Sequence, residues 1–276
     1  MFFPDHVRTE TVSVWNGKID IVFRVAGDGP TLVYLHPAAG LMWTPFLDAL
    51  ARHHTVVAPH FPGTAPDDPH AIHRIDELGD LVLIYEEALR AMNCHDAAVI
   101  GESFGGMLAS ELAATFPDLF SQVALLAPVG LWREDLPVAN WIAAAKEEMP
   151  AMLFADPSGP AAQAMFTPPD DPEMAVKGMA GLVWSIGCTG KFLWPIPEKG
   201  LAKRLHRVTA PVLIIWGAED RLIPAAYAEI FANHLAKAQV VIVPNAGHVL
   251  PAEAGEAVLG HLTGFLAPPE HARGAA

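Results

Sequence analysis

The sequence predicts an α/β fold with a mostly parallel central sheet, helices on both faces and a helical cap inserted after a central strand. Short, nearly continuous apolar runs near Thr31, Thr55, Ala97, Gln122, Val212 and Val240 suit strands buried on both faces, as parallel strands are. Helix-forming stretches lie between them, including Asp76 to Met92, Ala225 to Leu235 and Ala252 to Leu266, and this alternation marks βαβ units. From Leu131 to Leu205 the alternation gives way to helical, proline-interrupted sequence without a strong strand signal. Residues 1–130 and 206–276 are therefore assigned to one core and 131–205 to the cap.

Taken in order, Thr9 to Trp15 and Lys18 to Ala26 are extended segments joined at Asn16-Gly17, a hairpin signal. The strand Thr31 to Leu35 runs into His36-Pro37-Ala38-Ala39-Gly40, and Thr55 to Pro59 runs into His60-Phe61-Pro62-Gly63. Asp96 to Ile100 then breaks into Gly101-Glu102-Ser103-Phe104-Gly105-Gly106, and Met107 to Ala114 continues as a helix. A serine on so tight a strand-to-helix turn has a strained backbone and needs small neighbours two residues either side, which Gly101 and Gly105 supply. Gln122 to Ala127 is the strand before the cap. Pro211 to Trp216 ends in Gly217-Ala218-Glu219-Asp220-Arg221-Leu222-Ile223-Pro224, and Gln239 to Pro244 ends in Asn245-Ala246-Gly247-His248.

A nucleophilic serine requires a base, and the base an orienting acid. His248 follows the last strand, and the loop after the strand before it offers Asp220, with the adjacent Glu219 as the alternative acid. All three groups then fall in loops at the carboxyl ends of parallel strands, in the chain order Ser103, Asp220, His248.

On these motifs the chain resembles the α/β-hydrolase fold superfamily over nearly its whole length, in particular its capped serine hydrolases, the esterases and ring-cleavage-product hydrolases. The resemblance implies Ser103 as nucleophile, His248 as base and Asp220 as acid, with an oxyanion hole from the amides of Phe104 and Ala38 and no cofactor. Two positions depart from the usual pattern. Pro37 stands where the family commonly has glycine and carries no amide hydrogen, so Ala39 is the alternative donor; His60 stands where an aspartate is common.

Other groups have plainer expectations. Glu102 is expected to be a solvated or hydrogen-bonded turn residue, with tuning of the site's charge as the functional alternative, and His36 to brace the oxyanion loop. Asp67-Asp68-Pro69-His70-Ala71-Ile72-His73 lacks metal-site spacing and reads as a solvated loop. Cys94 and Cys188 are too few for a disulfide framework and are expected to be buried small apolar residues. Seventeen basic against 31 acidic residues give a formal charge of −14, which disfavours nucleic acid and anionic membrane surfaces as partners. No apolar run is long enough to span a bilayer and Met1 to Arg8 has no leader pattern, so the cytoplasm is the expected location.

The cap holds Trp132, Trp141, Trp184 and Trp194, with Met149, Met152, Met165, Met174 and Met179 and the phenylalanines Phe154, Phe166 and Phe192. Most of these are expected to pack the cap onto the core, and the rest to line an apolar roof that suits a small apolar substrate. The expected activity is hydrolysis of a carboxylic ester with an apolar acyl or aromatic group. A carbon–carbon hydrolase of vinylogous diketones is the alternative chemistry, and a non-catalytic ligand-binding relative the alternative class. Relatives that attack with aspartate fit less well, because Ser103 occupies that position.

Overall fold

A computed structural model of the chain describes residues 3–65, 67–193 and 199–267. It has an eight-stranded sheet in the order β1-β2-β4-β3-β5-β6-β7-β8. Strands β1 (Arg8–Val14) and β2 (Ile19–Ala26) form an antiparallel hairpin, and their turn places Trp15, Asn16 and Gly17 at positive φ. β2 also pairs antiparallel with β4 (Thr55–Pro59). β3 (Thr31–Leu35), β5 (Ala97–Glu102), β6 (Phe120–Leu126), β7 (Val212–Gly217) and β8 (Ala238–Val243) complete the sheet, with every remaining pair parallel.

Helices α1 (Pro45–Ala51), α2 (Leu78–Ala91) and α3 (Phe104–Thr115) connect the first strands. Between β6 and β7 lie α4 (Met149–Leu153), α5 (Pro160–Phe166) and α6 (Pro172–Leu193). The chain closes with α7 (Tyr227–Ala232), α8 (Leu250–Glu253) and α9 (Gly255–Leu266). Ala252 to Leu266 is therefore not one helix: Ala254, at φ −134° and ψ 32°, separates α8 from α9.

α3 is buried from Phe104 to Ala114, as its apolar sequence requires. Its one buried charge, Glu111, accepts from Arg204 Nε and Nη2 at 2.7 and 2.6 Å. Cys94 and Cys188 are free and buried, and burial pushes their thiols up to about 12 and about 11, away from thiolate chemistry.

The sheet order also fixes where a site can form. From β3 the chain moves to β4 on one side, then returns to β5 on the other. Loops leaving β3 and β5 diverge there, at the carboxyl ends of the strands, which is where open α/β sheets generally bind ligands. The His36–Gly40 turn follows β3 and Ser103 follows β5, so both lie at that end of the sheet. Trp194 lies outside the described residues.

Candidate active site

Ser103 sits between the end of β5 and the first residue of α3, with φ 52° and ψ −110°, a backbone state costly for any side-chain-bearing residue. Four hydrogen bonds hold it there. Its amide donates to the Leu126 carbonyl at 2.9 Å, and its carbonyl accepts from Gly106, Met107 and Val129 at 3.0, 3.1 and 3.2 Å. The flanking glycines are required by close approach: a Cβ on Gly105 would stand 2.0 Å from the Leu35 carbonyl oxygen, and one on Gly101 2.4 Å from that of Gly105.

The Ser103 hydroxyl lies 2.9 Å from His248 Nε2, and His248 Nδ1 lies 2.8 Å from Asp220 Oδ2. All three residues are buried. Asp220 is itself fixed by three further donors: the Leu222 and Ile223 amides, each 2.9 Å from Oδ1, and the Trp216 indole, 3.0 Å from Oδ2. Glu219 instead accepts the Ala246 amide at 3.0 Å in the loop that carries His248, while Asp220 meets the imidazole. Burial pulls His248 toward its neutral form, but the charge and hydrogen bond of Asp220, with the charge of Glu102, prevail and raise its pKa above the ordinary 6.5.

In the turn that follows β3, the Gly40 amide donates to the Pro37 carbonyl at 3.1 Å, closing a β-turn. That bond leaves the amides of the two central residues, Ala38 and Ala39, outside the turn's own hydrogen bonding. The amide of Phe104 opens α3, where helical geometry provides no partner for it. His36 braces this region. Its Nε2 accepts the Phe61 amide at 3.0 Å and its Nδ1 is 2.8 Å from the Pro37 carbonyl, while burial lowers its pKa to about 4 and keeps it neutral.

Glu102 is not solvated. It is buried at the end of β5 and accepts a 2.5 Å hydrogen bond from the Tyr34 hydroxyl on β3. His60 is buried, its Nε2 accepts from Arg24 at 3.2 Å, and its ring meets Phe3 edge-on. In the Asp67–His73 stretch, Asp68 pairs with Arg74 at 2.7 Å and the His70 and His73 rings stack. Among the described residues no group of three or more His, Cys, Asp or Glu is arranged to hold a metal.

The segment between β6 and β7 is fastened to the site. The Leu153 carbonyl accepts the His248 amide at 2.7 Å and the Val249 amide at 3.3 Å, and Arg221 donates to the Phe154 and Ala151 carbonyls at 3.0 and 3.3 Å. Glu253 bridges the same two regions, accepting the Gly247 amide at 2.6 Å and the Ala155 amide at 2.8 Å. On α6, Thr189 donates to the Ala38 carbonyl at 3.3 Å and Trp184 to the Gly63 carbonyl at 2.7 Å. Phe192 packs edge-on against Phe61, which packs edge-on against Phe104 beside the serine. Met165 and Met179 of this segment remain exposed, as does much of the Trp184 side chain.

Sequence spacing could not reveal Tyr34, Trp216 or Glu253 as partners of these groups. Each is an ordinary member of its strand or helix until the fold brings it to the site.

Comparison with known proteins places this geometry in context. Residues 32–260 match the model of the family described as the Alpha/beta hydrolase family. The dihydrolipoyllysine-residue acetyltransferase component of the acetoin cleaving system of Pseudomonas putida is 28% identical over 261 residues, covering 91% of this chain and 67% of that protein. Its counterpart in Cupriavidus necator is covered over 60% of its length. A monoacylglycerol lipase of Mus musculus is 24% identical, covering 87% of this chain and 76% of that protein. Among solved structures, the naproxen esterase of Bacillus subtilis superposes with a TM-score of 0.75 at 17% identity, covering 96% of this chain and 93% of that one.

Proposed function

Because the chain belongs to the alpha/beta hydrolase family, we propose that it is a serine hydrolase cleaving a carboxylic ester with an apolar acyl or aromatic group. The observation that carries this reading is the continuous hydrogen-bonded line from Ser103 through His248 to Asp220. In the proposed reaction, His248 Nε2 takes the hydroxyl proton as Ser103 Oγ attacks the carbonyl carbon, and Asp220 stabilises the imidazolium. The amide of Phe104, with that of Ala38 or Ala39, receives the negative charge on the carbonyl oxygen. His248 returns the proton to the departing alcohol, and water, deprotonated by the same base, releases the acid and restores the serine.

The segment 131–205 serves as the cap in this reading. Its contribution to selectivity is apolar, through surfaces such as Phe192 on Phe61 next to Phe104. The mouse lipase and the Bacillus esterase named above are enzymes of ester substrates by their descriptions, in keeping with this choice. A graded series of acyl esters, assayed beside a vinylogous diketone, tests it. We expect kcat/KM to rise by up to about fourfold per added methylene until the pocket fills, since burying a methylene contributes about 0.8 kcal/mol. The Ser103→Ala variant should lose all but a trace of this activity. Turnover of the diketone alone would assign the alternative carbon–carbon chemistry. A flat response from acetyl to hexanoyl would remove the apolar cap reading.

A further inference from the structure

The triad reading uses one carboxylate, yet the structure buries a second one beside the nucleophile. Glu102 immediately precedes Ser103, is 7% exposed, and is the last residue of β5, the strand from which Ser103 follows. A carboxylate seldom occupies such a position without a charged partner, because losing water penalises its ionised form. The hydrogen bond that Glu102 accepts comes from a neutral group, the Tyr34 hydroxyl, at 2.5 Å from Oε2. Tyr34 is the fourth residue of β3, paired directly with Ile100 on β5, so adjacent parallel strands fix the contact.

We propose that Glu102 is a positioning residue of the site: held by the Tyr34 hydroxyl, its carboxylate supplies a second negative charge beside His248, additional to that of Asp220. This deepens the serine hydrolase reading and rests on it. The added charge favours the imidazolium that forms as Ser103 is deprotonated, so Glu102 acts through His248 and never touches the substrate.

Among the described residues, Asp220 and Glu102 are the carboxylates whose charges favour the protonated His248 ring. His248 Nδ1 faces Asp220 and its Nε2 faces Ser103. The other acids of the neighbouring loops and of the segment packed on His248 are spent on backbone amides: Glu219 on Ala246, Glu253 on Gly247 and Ala155, Glu148 on Ala145 and Asp156 on Ser158. Arg221, the cation of the acid loop, is turned to the Phe154 and Ala151 carbonyls, and His36 is neutral. Burial raises the pKa of Glu102, while the Tyr34 hydrogen bond and the His248 charge pull it part of the way back. The Tyr34 phenol, raised by burial and by Glu102, remains the donor across the working range.

The test is the pH dependence of Ser103 labelling by a fluorophosphonate, which reports on the serine and histidine without an assigned substrate. In the wild type the second-order labelling rate should fall as pH drops through the His248 pKa, since the protonated ring cannot act as a base. Glu102→Gln keeps an acceptor for Tyr34 but removes the charge. We expect its acid-side midpoint to move down by about one pH unit and its plateau rate to fall several-fold. Tyr34→Phe leaves the carboxylate without its donor and so more readily protonated; its midpoint should move in the same direction by less. Should Glu102→Gln fail to fold, Tyr34→Phe decides alone.

A lowered plateau with an unmoved midpoint is what a purely structural role would give, and it would overturn the proposal. Absence of wild-type labelling, or a labelling rate independent of pH, would instead overturn the triad reading beneath it.

Discussion

Asp220 and Glu219 are neighbours in the chain, but backbone amides give them different partners. Leu222 and Ile223 hold one oxygen of Asp220, and the Trp216 indole holds the other beside His248. Glu219 is directed to the Ala246 amide. Asp220→Asn should therefore lower kcat/KM by about 10⁴-fold, because an amide cannot hold the imidazole in its working tautomer or stabilise its charged form. Glu219→Gln, which still offers an oxygen to Ala246, should cost less than about tenfold. Steady-state kinetics of the two variants on one ester decide the point, and the reverse ranking would transfer the acid to Glu219.

At the level of elements, removing the segment between β6 and β7 is expected to disturb the site. Sequence alone suggests the opposite, since residues 131–205 lie outside the connections that carry Ser103, Asp220 and His248. The fold nevertheless ties the Leu153 carbonyl to the His248 amide, Arg221 to the Phe154 carbonyl, and Glu253 to both Gly247 and Ala155. Replacing 131–205 with a short linker should thus reduce turnover of even a small acetyl ester by about 10²-fold or more, because displacements of about 1 Å at a base are that costly. Retained acetyl esterase activity in a folded truncation would show that these bonds do not position the base. The strand ends were legible because β-branched runs stop at glycine or proline. Contacts such as Tyr34 with Glu102 and Ala155 with Glu253 span 68 and 98 residues, and no local pattern encodes them. The helix expected from Ala252 to Leu266 breaks at Ala254, next to Glu253, whose carboxylate accepts the amides of Gly247 and Ala155.

For the molecule as a whole, the formal charge of −14 sets a field that any substrate must cross. Among the described residues no helix is long and apolar enough to cross a membrane. An ester with an anionic acyl group, such as a hemisuccinate, should react more slowly than a neutral ester of equal length. The gap should narrow as salt rises from about 0.01 to 0.15 M and the screening length contracts from about 30 to 8 Å. Faster reaction of the anionic ester at low salt would contradict this expectation and the apolar character assigned to the site. The parallel sheet, the hairpin and the order of the three site residues follow from patterns that a single sequence carries, since hydrophobic period and glycine placement are local properties. The electrostatic surroundings of His248 are not local, and only the sheet register assembles them.

The central claim is that Ser103 is a nucleophile driven by His248 and Asp220, and it is tested most directly by locating a fluorophosphonate adduct by peptide mass spectrometry. The wild type should carry a single adduct on Ser103, Ser103→Ala none, and Asp220→Asn an adduct that forms more slowly by orders of magnitude. A folded wild-type protein that takes up no label, or takes it up on another residue, would contradict the account.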